Sequence, residues 1–354
     1  MASASQFYIG ANDEHGLYPP TAGKRTPVMP YINRSFYENE YNRQAKNNFI
    51  EACLRCGFNV FDVKPEFQDV SVSTRVSRVN YAKLTMLVTF GYNAFGSGNT
   101  FNSAKGMFTY YGALSSYRTN SRILAEDIFE ELSKEQYIYP RSVISLTDVG
   151  VLESVNCPSM ISEAGFMTNF TEAKLMLDPD FVLNAGEASC RGVCDNLSVE
   201  YIERNNLSAY PTLRRGSRGN KVALAQYLLN YYNYSIDTDG VFGLQTQNAV
   251  IKFQQENGLT GDGIIGPLTW TALLDLSPTS KTIKYGSVSS NVMYAQRKLL
   301  SKLYYASTLD GDFGTKTQTA VTQFQSENNL VADGIIGANT WAKLAVLDEG
   351  RPLT

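Results

Sequence analysis

The apolar positions of the C-terminal part of the chain recur with a helical period, and they do so twice. Val222, Ala225, Leu229 and Tyr232 fall at i, i+3, i+7 and i+10 on one helical face. Val292, Ala295, Leu299 and Lys302 repeat the stripe, which there ends in a charge. A turn follows in each copy, at Asp239-Gly240 and Asp310-Gly311, residue types that tolerate positive φ. A second amphipathic helix carries Ala249, Val250 and Phe253, matched by Ala320, Val321 and Phe324. A third, short helix opens after Gly266, with Pro267 suited to the first helical position. It points Trp270 and Leu273 inward, as Trp341 and Leu344 do in the second copy. The pattern predicts two small all-α three-helix repeats, residues 211–276 and 281–347, each able to fold without staples.

Before residue 205 the pattern alternates between strand-like and helix-like runs. Gln6–Ala11, Asn59–Val63, Lys105–Tyr111 and the short Met160–Ser162 are expected to be strands, and the apolar run Leu84–Phe90 a buried central one. Asn39–Cys56 is expected to be a helix with Ala45, Phe49, Ala52 and Cys56 on one face, closed by Gly57. Ser121–Leu132, Thr171–Leu177 and Val182–Leu197 are further helices. The prediction for residues 1–204 is an α/β sandwich with a mostly parallel central sheet and helices on both faces. A short linker is expected around 204–210.

Net charge is −3 over 354 residues, divided as +2 for 205–354 and −5 for the rest. Neither part has the basic field that nucleic-acid binding needs, so no nucleic-acid partner is expected. No apolar run reaches the ~18 residues of a membrane span. The N-terminus has neither a basic nor an apolar leader region, so the expectation is synthesis in the cytoplasm without a signal peptide. All five cysteines precede residue 195, which argues against a disulfide framework. Cys53 and Cys56 are three apart on one helix, and Cys190 and Cys194 four apart on another. Buried free thiols are the expectation, with a four-thiolate zinc site as the alternative.

The doubled pattern D-G-x-F-G-x-x-T-x-x-A-V-x-x-F-Q, then D-G-I-I-G and T-W-x-x-L, resembles the peptidoglycan-binding module of bacterial cell-wall enzymes. That resemblance implies peptidoglycan as partner, and two linked copies imply avidity. The adjacent tyrosines Tyr231-Tyr232 and Tyr304-Tyr305 are candidates to offer rings to a sugar face. The N-terminal part resembles zinc-dependent N-acetylmuramoyl-L-alanine amidases. His15-Gly16 followed by Thr21-Ala22-Gly23-Lys24-Arg25-Thr26-Pro27 is similar to that family's HG…TPGKRSP signature. Glu38 with Asn42, Arg75 with Asn80, Leu87–Ala94 (LVTFGYNA) and Ile161–Asn169 (ISEAGFMTN) match further family motifs. The order of these parts resembles that of phage endolysins and autolysins.

The resemblance implies zinc held by two histidines and a glutamate, with a second glutamate as general base. Carried over residue by residue, His15 and Glu38 are metal ligands, Glu163 is the base, and Asn93 and Arg75 are substrate-binding candidates. The bond cut joins N-acetylmuramic acid to L-alanine. The family's second histidine falls at Gly91, and His15 is the only histidine in the chain, so that ligand is missing. Candidates to replace it are a nearby carboxylate (Asp13, Glu14 or Glu40) or a cysteine from elsewhere. Two function classes follow: a wall amidase targeted by its repeats, which we expect, or a non-catalytic pseudo-amidase that only binds wall.

Overall fold

In the computed structural model, described for residues 3–16, 24–135, 137–232, 234–274, 281–347 and 350–353, the first part is a six-stranded mixed sheet between two layers of helices. The strands are β1 (Tyr8–Asp13), β2 (Asn59–Asp62), β3 (Met86–Asn93), β4 (Met107–Gly112), β5 (Pro140–Leu146) and β6 (Ser159–Phe166). Their order is β2-β1-β3-β6-β4-β5. The first four in that order run parallel; β4 reverses against β6, and β5 runs parallel to β4.

One face packs on α1 (Glu38–Cys56), α3 (Arg118–Lys134) and α6 (Pro179–Leu197), where Val88, Phe90 and Met160 meet Phe49, Ile128 and Val193. The other face packs on α2 (Val72–Ala82) and α4 (Gly150–Glu153), where Leu87 and Ile161 meet Val79 and Leu152. A short α5 (Phe170–Leu175) precedes α6. Helix α1 ends at Gly57, whose φ of 93° is the left-handed closure expected there. Helices α2 and α4 and strand β5 are absent from the expectation, and β6 is longer than Met160–Ser162 because it continues through Glu163 to Phe166.

The second part carries helices α7 (Asn220–Tyr231), α8 (Leu244–Glu256) and α9 (Pro267–Leu273), then α10 (Ser290–Ser301), α11 (Thr315–Glu327) and α12 (Ala338–Ala345). Each module hangs on two buried glutamines. Gln254 donates to Asp262 Oδ1, Ile264 O and Thr269 Oγ1 at 2.8, 2.9 and 3.1 Å and accepts the Gly263 N–H at 2.9 Å. Gln226, Gln296 and Gln325 make the same set around their own Asp-Gly turns. The Gln, Asp-Gly and Thr of the repeat are thus one hydrogen-bonded unit whose buried amide is fully satisfied. Lys302, the charge ending the second stripe, is buried and donates to the Val346 carbonyl.

Both modules dock on the sheet part. Asn220 Nδ2 donates to the Gly57 and Phe58 carbonyls at 2.8 Å each. Lys298 Nζ, fully buried, sits 2.8 Å from Asp178 Oδ2. Among the described residues, no helix is long and apolar enough to cross a membrane.

Candidate functional site

The carboxyl ends of β1 and β3, beside β6, bring the chemistry together. Register does most of the placing. Asp13 pairs with Phe90, and the Glu14 N–H continues the ladder to the Phe90 carbonyl at 2.9 Å. Gly91 pairs with Glu163 on the other side. Glu14, Gly91 and Glu163 therefore form a row across three neighbouring strands, on one sheet face. The glycine in the middle leaves room for both flanking carboxylates. A Cβ added at Gly91 would lie 2.9 Å from Glu14 Oε2 and 2.9 Å from Glu163 Oε1. The space that a side chain at position 91 would use is thus taken by Glu14 and Glu163.

Glu38 enters from the first turn of α1. Its Oε1 accepts from Asn42 Nδ2 at 2.9 Å and from the Tyr92 N–H at 3.1 Å, which fixes the carboxylate. Its Oε2 faces His15 Nε2 at 3.5 Å. His15 adopts a left-handed φ of 54° at the end of β1, which turns its side chain away from the strand's alternation. Donor atoms of Glu14, His15 and Glu38 all lie within 4.8 Å of one another.

The electrostatics follow from crowding anions away from water. Burial, then the Glu38 charge, pushes the Glu14 carboxyl up to about 7. Burial raises Glu38 as well, against the hydrogen bonds from Asn42 and Tyr92. Burial, then Glu14 and Glu38, pushes Glu163 well above the ordinary carboxylate range. Burial holds His15 below its ordinary value despite Glu14, so its imidazole is neutral at pH 7, as a metal ligand requires. Lys24 is the cation whose field reaches all three carboxylates. Glu163 Oε2 is buried with no hydrogen-bond partner. A neutral imidazole, two converging carboxylates and an orphaned carboxylate oxygen beside them are a donor set that fits a divalent cation.

The other candidates are placed as follows. Asp13 is fully buried between Lys46 and Lys64 at 2.8 Å each, and Glu40 is tied to Arg34 at 2.5 Å and to the Tyr37 N–H at 3.0 Å. Neither is available to replace a ligand. Arg75 lies close enough for its charge to act on Glu14 and His15. Its buried guanidinium is committed to the Val70 carbonyl at 2.8 Å, Asn12 Oδ1 at 3.1 Å and Asp69 at 2.8 Å, so it braces the end of β1. Asn80 likewise bridges Ser154 and Asn156. Asn93 stands at the end of β3 beside the site, donating to Tyr110 Oη at 3.2 Å. Thr21–Gly23 of the HG…TAGKRTP segment lie outside the described residues.

Of the four tyrosines, three are held by their own modules. Tyr305 is buried with its hydroxyl on the Thr308 carbonyl, and Tyr232 and Tyr304 pack on Phe253 and Phe324 at 5.1 and 5.2 Å. Only Tyr231 is exposed, at 54%, and it borders a cavity of about 320 Å³ between α1, α6 and the repeats. That cavity contains none of the acidic cluster.

Comparison with known proteins agrees with both parts. The N-acetylmuramoyl-L-alanine amidase family matches residues 21–195, and the peptidoglycan binding domain matches 218–273 and 288–344. Residues 21–195 belong to that amidase family, and two peptidoglycan-binding repeats follow. The "Probable N-acetylmuramoyl-L-alanine amidase" of Bacillus licheniformis is 32% identical over 175 residues, covering 43% of this chain and 49% of that protein. The N-acetylmuramoyl-L-alanine amidase CwlM of Mycobacterium tuberculosis is 35% identical over 113 residues, covering 30% and 28%. The chain thus spans half or less of the length of these two relatives. The solved catalytic domain of CwlV from Bacillus (Paenibacillus) polymyxa aligns at 20% identity and a TM-score of 0.46, over 55% of this chain and 99% of that one.

Proposed function

We propose that this chain is a metal-dependent N-acetylmuramoyl-L-alanine amidase working at the bacterial cell wall. Residues 1–204 carry the reaction, and 211–276 and 281–347 hold it on peptidoglycan. The observation that carries this reading is the row Glu14, Gly91, Glu163 beside His15 and Glu38. Glu14, His15 and Glu38 would hold a zinc ion with three protein ligands, leaving a position open. When bound, zinc polarises the amide carbonyl and lowers the pKa of water.

The remaining work falls to the chain's own groups. Glu163 takes the proton of the attacking water on its unpartnered Oε2 and returns it to the leaving nitrogen of L-alanine. Burial, then the charges of Glu14 and Glu38, raises the affinity of Glu163 for a proton, which suits it to hold that proton between the two steps. Asn42 and the Tyr92 N–H keep the Glu38 carboxylate in one orientation. Asn93, fixed by Tyr110, presents its amide to the substrate at the strand end.

The test is product analysis. Full chain supplied with zinc and incubated with purified peptidoglycan releases new alanine amino termini and no new reducing sugar ends. Glu163→Gln lowers that release by about 10²–10⁴ while sedimentation with the wall is kept. The second reading, a non-catalytic wall-binding protein, is favoured by glycine at position 91. Intact wall binding with no alanine termini would establish it in place of the first.

A further inference from the structure

All five cysteines are buried and unpaired by disulfides, and three of them converge, Cys56, Cys190 and Cys194, with Cys53 against Cys190. Cys53 and Cys56 share a face of α1, and Cys190 and Cys194 share a face of α6, because residues three or four apart on a helix are neighbours. Gly186, one turn before Cys190, lets the two helices approach. A Cβ there would lie 2.6 Å from Asn48 Cβ and 2.6 Å from the Phe49 nitrogen. The Cys190 sulfur is 3.7 Å from that of Cys53 and 3.9 Å from that of Cys56. The sulfurs of Cys56, Cys190 and Cys194 all lie within 4.8 Å of one another.

We propose that Cys56, Cys190 and Cys194, joined by Cys53 when its side chain turns inward, form a structural zinc site that staples α1 to α6. Four sulfurs about 2.3 Å from a tetrahedral zinc stand about 3.8 Å apart; Cys190 has that spacing to Cys53 and to Cys56, Cys194 lies within 4.8 Å of Cys56 and Cys190, and Cys53 has to rotate to close the fourth corner. The sequence spacings C-x2-C and C-x3-C, one pair from each element, are those of closed four-thiolate sites. Binding displaces four thiol protons to solvent, and the resulting centre carries two net negative charges. The surroundings suit that charge. The Ile202 N–H donates to the Cys56 sulfur at 3.4 Å, and the Arg55 side chain donates to the Ile202 carbonyl at 2.8 Å. Lys221 of the first repeat caps the end of α1, 2.7 Å from the Arg55 carbonyl. The site therefore joins both long helices to the segment that leads into the repeats. Cys157, the fifth cysteine, lies on the opposite face of the sheet and takes no part.

This site is independent of the carboxylate centre, and the experiment separates the two. Purified full chain is dialysed against EDTA, its zinc is measured, and it is then titrated with a mercurial thiol reagent in the presence of a colorimetric zinc indicator. About one zinc per chain is expected to survive chelation and to be released in step with thiol modification. His15→Ala and Cys157→Ser should leave that fraction unchanged, whereas Cys56→Ser and Cys190→Ser should lose it. Should the cysteine variants not fold, cobalt incorporated during expression of the wild type must give the intense thiolate-to-cobalt charge-transfer absorption of a tetrahedral site. Packed free thiols, seen as no retained zinc, no cobalt signal and all five thiols reactive after unfolding, overturn the proposal. A disulfide among the four in freshly reduced-lysis protein overturns it equally.

Discussion

Glu14→Gln separates a metal ligand from a packing residue by two effects of opposite sign. Glutamine keeps the shape and removes the charge that faces Gly91 and Glu38. The Glu14 carboxyl is raised from 4.5 to about 7 in the folded, metal-free protein. At about 1.4 kcal/mol per unit, holding it ionised costs up to about 3 kcal/mol. Glu38 and Glu163 share that repulsion, so the figure is a ceiling. The sign follows from linkage. A carboxyl raised in the folded state favours folding below its unfolded value, and this is lost as pH rises through about 7. At about pH 8 the full cost is present, and the variant escapes it. Metal-free Glu14→Gln should therefore melt higher than metal-free wild type at about pH 8, by up to roughly 6–12 °C for a domain of this size. The gap should close near pH 4.5, where both are neutral. Zinc binding should weaken at least 10–100-fold, the loss expected even when only a supporting group is removed. Scanning calorimetry with and without chelator, and competition titration of zinc, measure both. A variant less stable without metal at pH 8, with unchanged zinc affinity, would refute the ligand role.

Three further outcomes follow. Gly91→His should not rescue a second imidazole on its own, because its Cβ meets Glu14 and Glu163 at 2.9 Å; zinc affinity should fall, and recover when Glu14→Ala is added, as read by the same titration. Asp13→Asn leaves the buried Lys64 without its anion and Lys46 with Asp62 alone, and should cost about 3 kcal/mol in denaturant melts. Burial opposes ionisation of Asp13, but the two lysines outweigh it and hold the carboxyl below its ordinary value, so the pair's contribution is present above about pH 4 and fades as acid protonates it. Gln254→Ala leaves the buried Gly263 N–H without its acceptor and the Ile264 carbonyl with the Thr269 hydroxyl alone, and should cost roughly 2 kcal/mol, seen as lost hydrogen-exchange protection in the first repeat while the second is unchanged.

Helical periodicity with its turn and cap residues was enough to place α1 and the six repeat helices. The misses have physical causes. Strand β5 is largely exposed at the sheet's edge, beside β4, which reverses direction, so it carries no apolar run. The apolar run of β6 is broken at Glu163, a carboxylate shielded from water whose cost makes sense as part of the site, although the strand itself continues. The positions of His15, Glu38 and Glu163 were legible through resemblance, and so was the departure at Gly91. That Glu14 fills the space over Gly91 needed the register of β1 against β3, because a one-residue slip would have sent its carboxylate to the other face. A motif position does not reveal that the Arg75 guanidinium already donates to Val70, Asn12 and Asp69. Tyr232, Tyr304 and Tyr305 show the same limit: these side chains of a small module are needed by its core, and Tyr231 alone of the four is exposed.

The central claim is that Glu14 stands in for the ligand lost at position 91. Diffraction from zinc-soaked crystals of the full chain, collected on both sides of the zinc absorption edge, tests it directly. The account predicts an anomalous peak about 2.0–2.2 Å from a carboxylate oxygen of Glu14, a carboxylate oxygen of Glu38 and an imidazole nitrogen of His15, with Glu163 beside the open position. A peak held by His15 and Glu38 with Glu14 turned away, or no peak among these residues, would contradict it.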